Sequence, residues 1–218
     1  KVTPSLDHEV YYPPKTRTKT SRLSVVAMIR PGSPRRGAAR TMDVLRRLKD
    51  EAGRRVAVHI FGCTEVELAV AGLAADFPYI NHGVLTREEV AELLRKAEIF
   101  LDLSDYQAFG RTGLEAMACG CAVVVPARGG TGEYAVDREN ALVVDTAQPE
   151  ACFAAARELI GDRELRERLQ QAGVATAREY TIEGAARSEL DLLSGPISDK
   201  LGSARTIDAL HAISARQG

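Results

Sequence analysis

Residues 98–126 read EIFLDLSDYQAFGRTGLEAMACGCAVVVP. Two short apolar runs, Glu98–Leu103 and Cys121–Pro126, bracket a glycine-bearing loop and a helical segment over Gly110–Cys119. The runs are apolar throughout instead of alternating, as strands covered on both faces require. A strand, a helix and a second strand of this kind form a parallel βαβ unit.

The same alternation extends to both sides. Upstream, strands are expected at Leu23–Ile29 and Arg55–Phe61, with a short edge at Tyr79–Val84. Helices are expected at Gly37–Glu51, Thr64–Ala74 and Thr86–Ala97. The last two open with Thr64-x-x-Glu67 and Thr86-x-x-Glu89, the reciprocal capping pattern. Downstream come a helical turn at Thr131–Val136, a last strand at Ala141–Asp145, and helices over 148–160, 162–178 and 182–193. From Ser194 the sequence is poorly patterned. The fold class is therefore α/β, a doubly wound parallel sheet of Rossmann-like form. Residues 1–22 form an entry segment, 23–180 the domain, and 181–218 a C-terminal helix and tail.

Composition narrows the function. Hydrophobic residues make up 45% of the 218, so a core forms without metal or disulfide. The four cysteines lack metal-ligand spacing and read as buried thiols. No apolar run reaches membrane-spanning length. Aromatics are 5% and Trp is absent, which disfavours a stacking platform for single-stranded nucleic acid. The net charge of −1 hides an asymmetry: residues 1–55 hold 14 Lys+Arg against 5 Asp+Glu. That excess suggests a local anion site, or simply a solvated helix face.

In a doubly wound sheet, ligands bind outside the carboxyl ends of the strands. That rule selects the loops after Ile29, Phe61, Leu103 and Pro126. The first reads Arg30-Pro-Gly-Ser-Pro-Arg35-Arg36-Gly37. Its guanidiniums flank a helix start, and both features favour a diphosphate. The third loop carries Gly110 and Gly113, which let a backbone approach a ligand, and leads to Glu115 in apolar surroundings. A carboxylate there requires hydrogen bonds; a ribose diol would supply two, and a neighbouring loop is the alternative donor. The fourth, Gly129-Gly130-Thr131-Gly132, suggests a ligand close to backbone, or a tight turn. The P-loop, the dinucleotide fingerprint, the nucleophile elbow and the HExxH motif are all absent from the sequence.

These residues, in this order, resemble the retaining GT-B glycosyltransferases of the family 4 type. The run from Ser104 to Gly120 followed by AVVVP resembles that family's signature. Gly129-Gly130-x-x-Glu133 and Asp137–Val143 resemble its next block, and Arg30 with Arg36-Gly37 its diphosphate-binding pair. Pro4-Ser5-Leu6-Asp7…Tyr12-Pro13 resembles the linker between its two domains. The resemblance implies the C-terminal, donor-binding domain of a two-domain enzyme, inactive without its N-terminal partner domain. It implies a nucleotide diphosphate sugar as donor, no metal and no cofactor. Arg30 and Arg36 would stabilise the leaving diphosphate, and Gln107 would face the sugar. Ala108, Phe109, Gly110, Arg111, Thr112, Gly62 and Leu85 would contact the donor, and Glu115 would hold the ribose. A cytoplasmic location is expected, with any peripheral membrane contact coming from outside this chain. No nucleic-acid partner is expected.

Two positions depart from the pattern. Gln107 stands where the family has its first Glu, and Arg36 where it has Lys. Gln keeps hydrogen bonding and loses the charge; Arg keeps the charge and changes the geometry. Three other readings stay open: a nucleotide-binding module without catalysis, which Gln107 favours; a nucleotide-sugar epimerase; and an anion- or nucleic-acid-binding domain using the basic stretch.

Overall fold

The computed structural model describes residues 4–16 and 21–200, with side chains through residue 193. Expectations for residues 1–3, 17–20 and 201–218 lie outside the described residues. The chain divides into two compact units, Asp7–Glu179 and residues 1–6 with 180–218. The first unit thus includes most of the segment expected as entry linker.

In that unit, strands β1 (Leu23–Met28), β2 (Val56–Phe61), β3 (Ile80–Asn81), β4 (Ile99–Leu101), β5 (Ala122–Pro126) and β6 (Leu142–Val144) alternate with helices. These are α1 (Ala38–Ala52), α2 (Glu65–Val70), α3 (Arg87–Arg95), α4 (Arg111–Ala118), α5 (Pro149–Gly161) and α6 (Arg163–Ala177). The sheet is six-stranded and parallel, in the order β3-β2-β1-β4-β5-β6. One face packs Val25, Ala27, Val58, Ile60, Leu101 and Val124 against Leu45 and Leu48 of α1 and Leu159 of α5. Val26, Phe100, Val123 and Val125 fill the other face and are buried as well. Burial on both faces is what the unbroken apolar runs required. All four cysteines are buried thiols.

Both capping boxes form. Thr86 Oγ1 accepts from the Glu89 N–H at 3.3 Å, while the Glu89 carboxylate accepts from the Thr86 N–H at 2.8 Å. Replacing a capping Thr with Ala costs about 1 kcal/mol. Thr86→Ala should therefore lower the urea midpoint by that equivalent; an unchanged midpoint would show the box to be idle.

Several elements are shorter than expected. α2 stops at Val70 because Gly72 turns left-handed at φ 69° and hydrogen-bonds back to Ala69. β3 keeps two residues of the expected Tyr79–Val84 edge, and a 3-10 turn over Gly130–Glu133 replaces the expected Thr131–Val136. In the second unit, helix α7 (Ile182–Lys200) runs past the expected end at residue 193. The Leu6 N–H donates to the Tyr180 carbonyl at 2.9 Å within the same unit.

Candidate functional site

The chain builds β1, β2 and β3 in one direction, then returns to place β4 on the far side of β1. The connections leaving β1 and β4 therefore diverge, and a crevice opens outside their carboxyl ends. The loop after β1 carries the three arginines, and the loop after β4 carries Asp102–Gly110. Long-range bonds join the two. The Asp105 N–H donates to the Arg35 carbonyl at 2.8 Å. Arg40 donates to the Leu103 carbonyl at 3.1 and 2.8 Å and pairs with Asp105 at 2.6 Å.

Arg36 is half-buried beside Arg30 and Arg35. Desolvation lowers its pKa first, repulsion from the two other arginines lowers it further, and the buried Asp102 carboxylate opposes both. Arg35 also lies over the Tyr106 ring, 5.7 Å from its centroid. Among the described residues, neither Arg30 nor Arg36 has an ion-pair partner within salt-bridge distance. Clustered cations at a strand end form a positive pole suited to a polyvalent anion.

Gln107 points inward. It is 5% exposed, and its amide donates to Asp102 at 2.7 Å and to Ser104 Oγ at 3.0 Å. Asp102 also accepts from the Ser104 N–H and hydroxyl, at 3.1 and 2.5 Å. Three donors satisfy a carboxylate that burial would otherwise penalise. The expectation for Gln107 is a place facing the sugar; the structure shows its amide nitrogen bonded to Asp102 and Ser104. Its amide is committed to Asp102, which makes it a residue that positions the loop. Asp102 and Ser104 were missed by sequence reasoning. The available signal was a carboxylate inside the apolar run IFLDL, which demands buried partners.

The glycines also read differently. Gln107 and Gly129 form a parallel bridge, and the Gly130 N–H donates to the Gln107 carbonyl at 2.7 Å. A Cβ on Gly129 would fall on that carbonyl oxygen, and one on Gly130 on the Ala108 carbonyl. The close approach is therefore to the chain's own backbone at 107–109, where the sequence left a ligand or a tight turn open. Likewise the Tyr134 hydroxyl donates to the Gly110 carbonyl at 2.7 Å. It would lie 2.8 and 2.5 Å from a Cβ on Gly110 and Gly113. Phe109 stacks at a tilt on the Tyr134 ring, centroids 5.3 Å apart. Asn140 fixes Tyr134 in turn, its Nδ2 donating to the Tyr134 carbonyl at 2.8 Å.

Glu115, one turn into α4, has 13% of its side chain exposed. Burial raises its pKa. Arg111, a hydrogen bond from the Tyr11 hydroxyl and Arg87 act against that rise. The donor found is thus partly the neighbouring segment that the sequence left open. Ala108 and Arg111 are exposed and Thr112 half-exposed at the start of α4. Gly62 donates its N–H to Gly83 at 2.7 Å and abuts Ile29, whose carbonyl lies 2.9 Å from a Cβ placed there. Leu85 follows β3. It lines a cavity of about 550 Å³ between α3 and the β1–β2 face, with Ser24, His59, His82 and Leu93. His59 and His82 stack in its wall with a 3.0 Å nitrogen–nitrogen contact.

The family model for glycosyl transferases group 1 matches residues 15–175. The chain belongs to that family. A D-inositol 3-phosphate glycosyltransferase of Xylanimonas cellulosilytica is 32% identical over 111 residues, 51% of this chain and 27% of that protein. An uncharacterized glycosyltransferase of Methanocaldococcus jannaschii is 31% identical over 96 residues, 44% and 27%. The chain spans about a quarter of the length of the curated relatives it matches. Among solved structures, the C-terminal domain of a group 1 family protein (LpcC) from Francisella tularensis aligns at TM-score 0.67 and 24% identity. That alignment covers 81% of this chain and 99% of that one. Anabaena HepE in complex with UDP and glucose aligns at TM-score 0.70 and 17% identity, covering 89% and 56%. The fold is thus the C-terminal Rossmann-like domain of GT-B glycosyltransferases. These similarities favour neither the epimerase nor the catalytically silent module. No helix among the described residues is long and apolar enough to cross a membrane.

Proposed function

We propose that this chain is the donor-binding domain of a retaining glycosyltransferase. The full-length enzyme would move a sugar from a nucleotide diphosphate sugar to a hydroxyl acceptor held by an N-terminal domain, and the domain alone would not catalyse transfer. The observation that carries the reading is the Arg30–Arg35–Arg36 cluster at the switch point, beside the loop that leads into α4. As the glycosidic bond breaks, negative charge develops on the diphosphate oxygen. Arg30 and Arg36 stabilise that charge without a metal. Ala108, Phe109 and Gly110 present backbone to the diphosphate sugar, and Gln107 fixes their position through Asp102. Arg111, Thr112 and Gly62 border the same end of the sheet, and ionised Glu115 accepts from the ribose hydroxyls. The side cavity gives Leu85 no part in this reading. HepE is described bound to UDP, which makes uridine diphosphate the first probe. We place the enzyme in the cytoplasm, with any membrane contact made by the rest of the protein.

Calorimetric titration with UDP, GDP, ADP and TDP, without metal, tests the site. One diphosphate should bind, and Arg36→Ala should weaken it about 10- to 100-fold through loss of a charge-assisted contact. Equal affinity in Arg36→Ala would remove the arginine cluster from the donor site. Affinity should also fall as pH drops through the carboxyl pKa of Glu115, which burial raises above its usual value. A protonated carboxyl loses part of its accepting capacity.

A further inference from the structure

We propose that Tyr134 is a positioning residue for the donor site: its phenol holds the Phe109–Gly110 backbone where the distal phosphate and sugar of the donor bind. The inference rests on the proposed role of that backbone. Tyr134 is 3% exposed, and its hydroxyl donates to the Gly110 carbonyl at 2.7 Å. Its ring packs against Phe109, centroids 5.3 Å apart. A peptide unit is planar, so a bond that fixes the Gly110 carbonyl also fixes the direction of the next N–H, at Arg111. Gly110 is the N-cap of α4, is left-handed at φ 85° and has no side chain to lock that peptide. The phenol does so from the neighbouring loop.

Gly113 shows that the place of the hydroxyl is reserved. It lies within α4, where no left-handed turn calls for glycine. A Cβ there would stand 2.5 Å from the Tyr134 hydroxyl oxygen, 3.2 Å from a Val125 methyl and 3.6 Å from Tyr134 Cζ. The tightest of these contacts is with one oxygen atom. Tyr134 is fixed in turn. Asn140 Nδ2 donates to the Tyr134 carbonyl and to Thr176 Oγ1 of α6, each at 2.8 Å, and its Oδ1 accepts from the Val136 N–H at 2.8 Å. Thr131 anchors the preceding turn, its hydroxyl donating to the Pro126 carbonyl at 2.6 Å. The body of α4 does not depend on the phenol, because Leu114, Ala116 and Met117 are at most 1% exposed in the core. Loss of the hydroxyl therefore loosens residues 109–110 while Glu115 stays in place. The Gly110 carbonyl still accepts from the Gly113 N–H at 2.9 Å, so it is not orphaned and the fold survives.

The test takes the nucleoside diphosphate selected by the four-way titration and the matching monophosphate. Both are titrated into the 218-residue chain and into Tyr134→Phe, Gly113→Ala, the double variant and Arg36→Ala. Tyr134→Phe should weaken the diphosphate about 2- to 10-fold, as loss of one hydrogen bond does, and leave the monophosphate unchanged. Gly113→Ala should show the same diphosphate-specific loss and a lower urea midpoint, because its methyl displaces the hydroxyl. In the double variant the midpoint should return to that of Tyr134→Phe or above, since the oxygen is gone and alanine favours helix. The diphosphate deficit should remain. Unchanged diphosphate affinity in Tyr134→Phe, or equal weakening of both ligands, overturns the inference. So does a Gly113→Ala midpoint deficit that persists in full in the double variant. The donor-site reading stands in those cases if Arg36→Ala removes the diphosphate's advantage over the monophosphate. If Arg36→Ala keeps that advantage, if wild type shows none, or if none of the four diphosphates binds, the donor-site reading falls and the Tyr134 inference with it.

Discussion

Gly129→Ala is expected to destabilise the domain by about 3 kcal/mol or more, a loss set by backbone strain and overlap together. Gly129 has φ 95° and ψ −153°, a region essentially restricted to glycine. Its missing Cβ would overlap the Gln107 carbonyl oxygen, which accepts the Gly130 hydrogen bond. Backbone is on both sides of the contact, so no rotamer change relieves it. Relief requires the 107–109 loop to separate from 129–130, which breaks the Gln107–Gly129 bridge. Urea unfolding measures the loss, and a shift under 1 kcal/mol would mean the two loops are not in contact. Gly132→Ala is the matched control. It lies in the same turn and a Cβ there meets open space, so its midpoint should stay close to wild type. A folded remnant of Gly129→Ala should also bind diphosphate more weakly, because the displaced loop carries the Ala108–Gly110 backbone.

The frame of the protein was legible because its signals are local. Unbroken apolar runs marked β1, β2, β4 and β5, and Thr-x-x-Glu marked the starts of α2 and α3. The carboxyl-end rule pointed to the end of the sheet that holds the arginines, while the switch point itself came from the strand order of the fold. Less legible was what each loop residue touches. Gly129 and Gly130 announce a close approach, and only the fold shows that it is to residues 107–109. Glu115 announces a need for donors, and only the fold supplies Tyr11. Gly110 and Gly113 make room for Tyr134, whose place depends on Asn140. Each of these pairings joins residues far apart in sequence, so no periodicity or spacing rule reports them.

The departure at position 107 has a physical partner, and Gln107→Glu exposes it. The substitution would place a carboxylate where an amide now donates to Asp102 at 2.7 Å. A donor becomes an acceptor, and two like charges meet in a buried site, so about 2–4 kcal/mol of stability should be lost at neutral pH. The sign of the pH dependence follows. Repulsion raises the introduced carboxyl's folded-state pKa above its unfolded value of roughly 4.3. The native state then binds more protons than the unfolded state, and stability falls with rising pH. The variant should approach wild type near pH 4, where the protonated carboxyl can donate to Asp102. It should weaken progressively as pH climbs through the raised pKa. Urea midpoints of both proteins at pH 4.5 and 7.5 measure this, and a deficit equal at both values would place the introduced charge away from Asp102. Gln107→Glu in an Asp102→Asn background should recover part of the loss, since the like charge is gone and an amide donor is restored. Gln107 and Asp102 thus act as one unit. A glutamate at 107 beside Asp102 therefore costs this loop stability wherever both carboxyls are ionised.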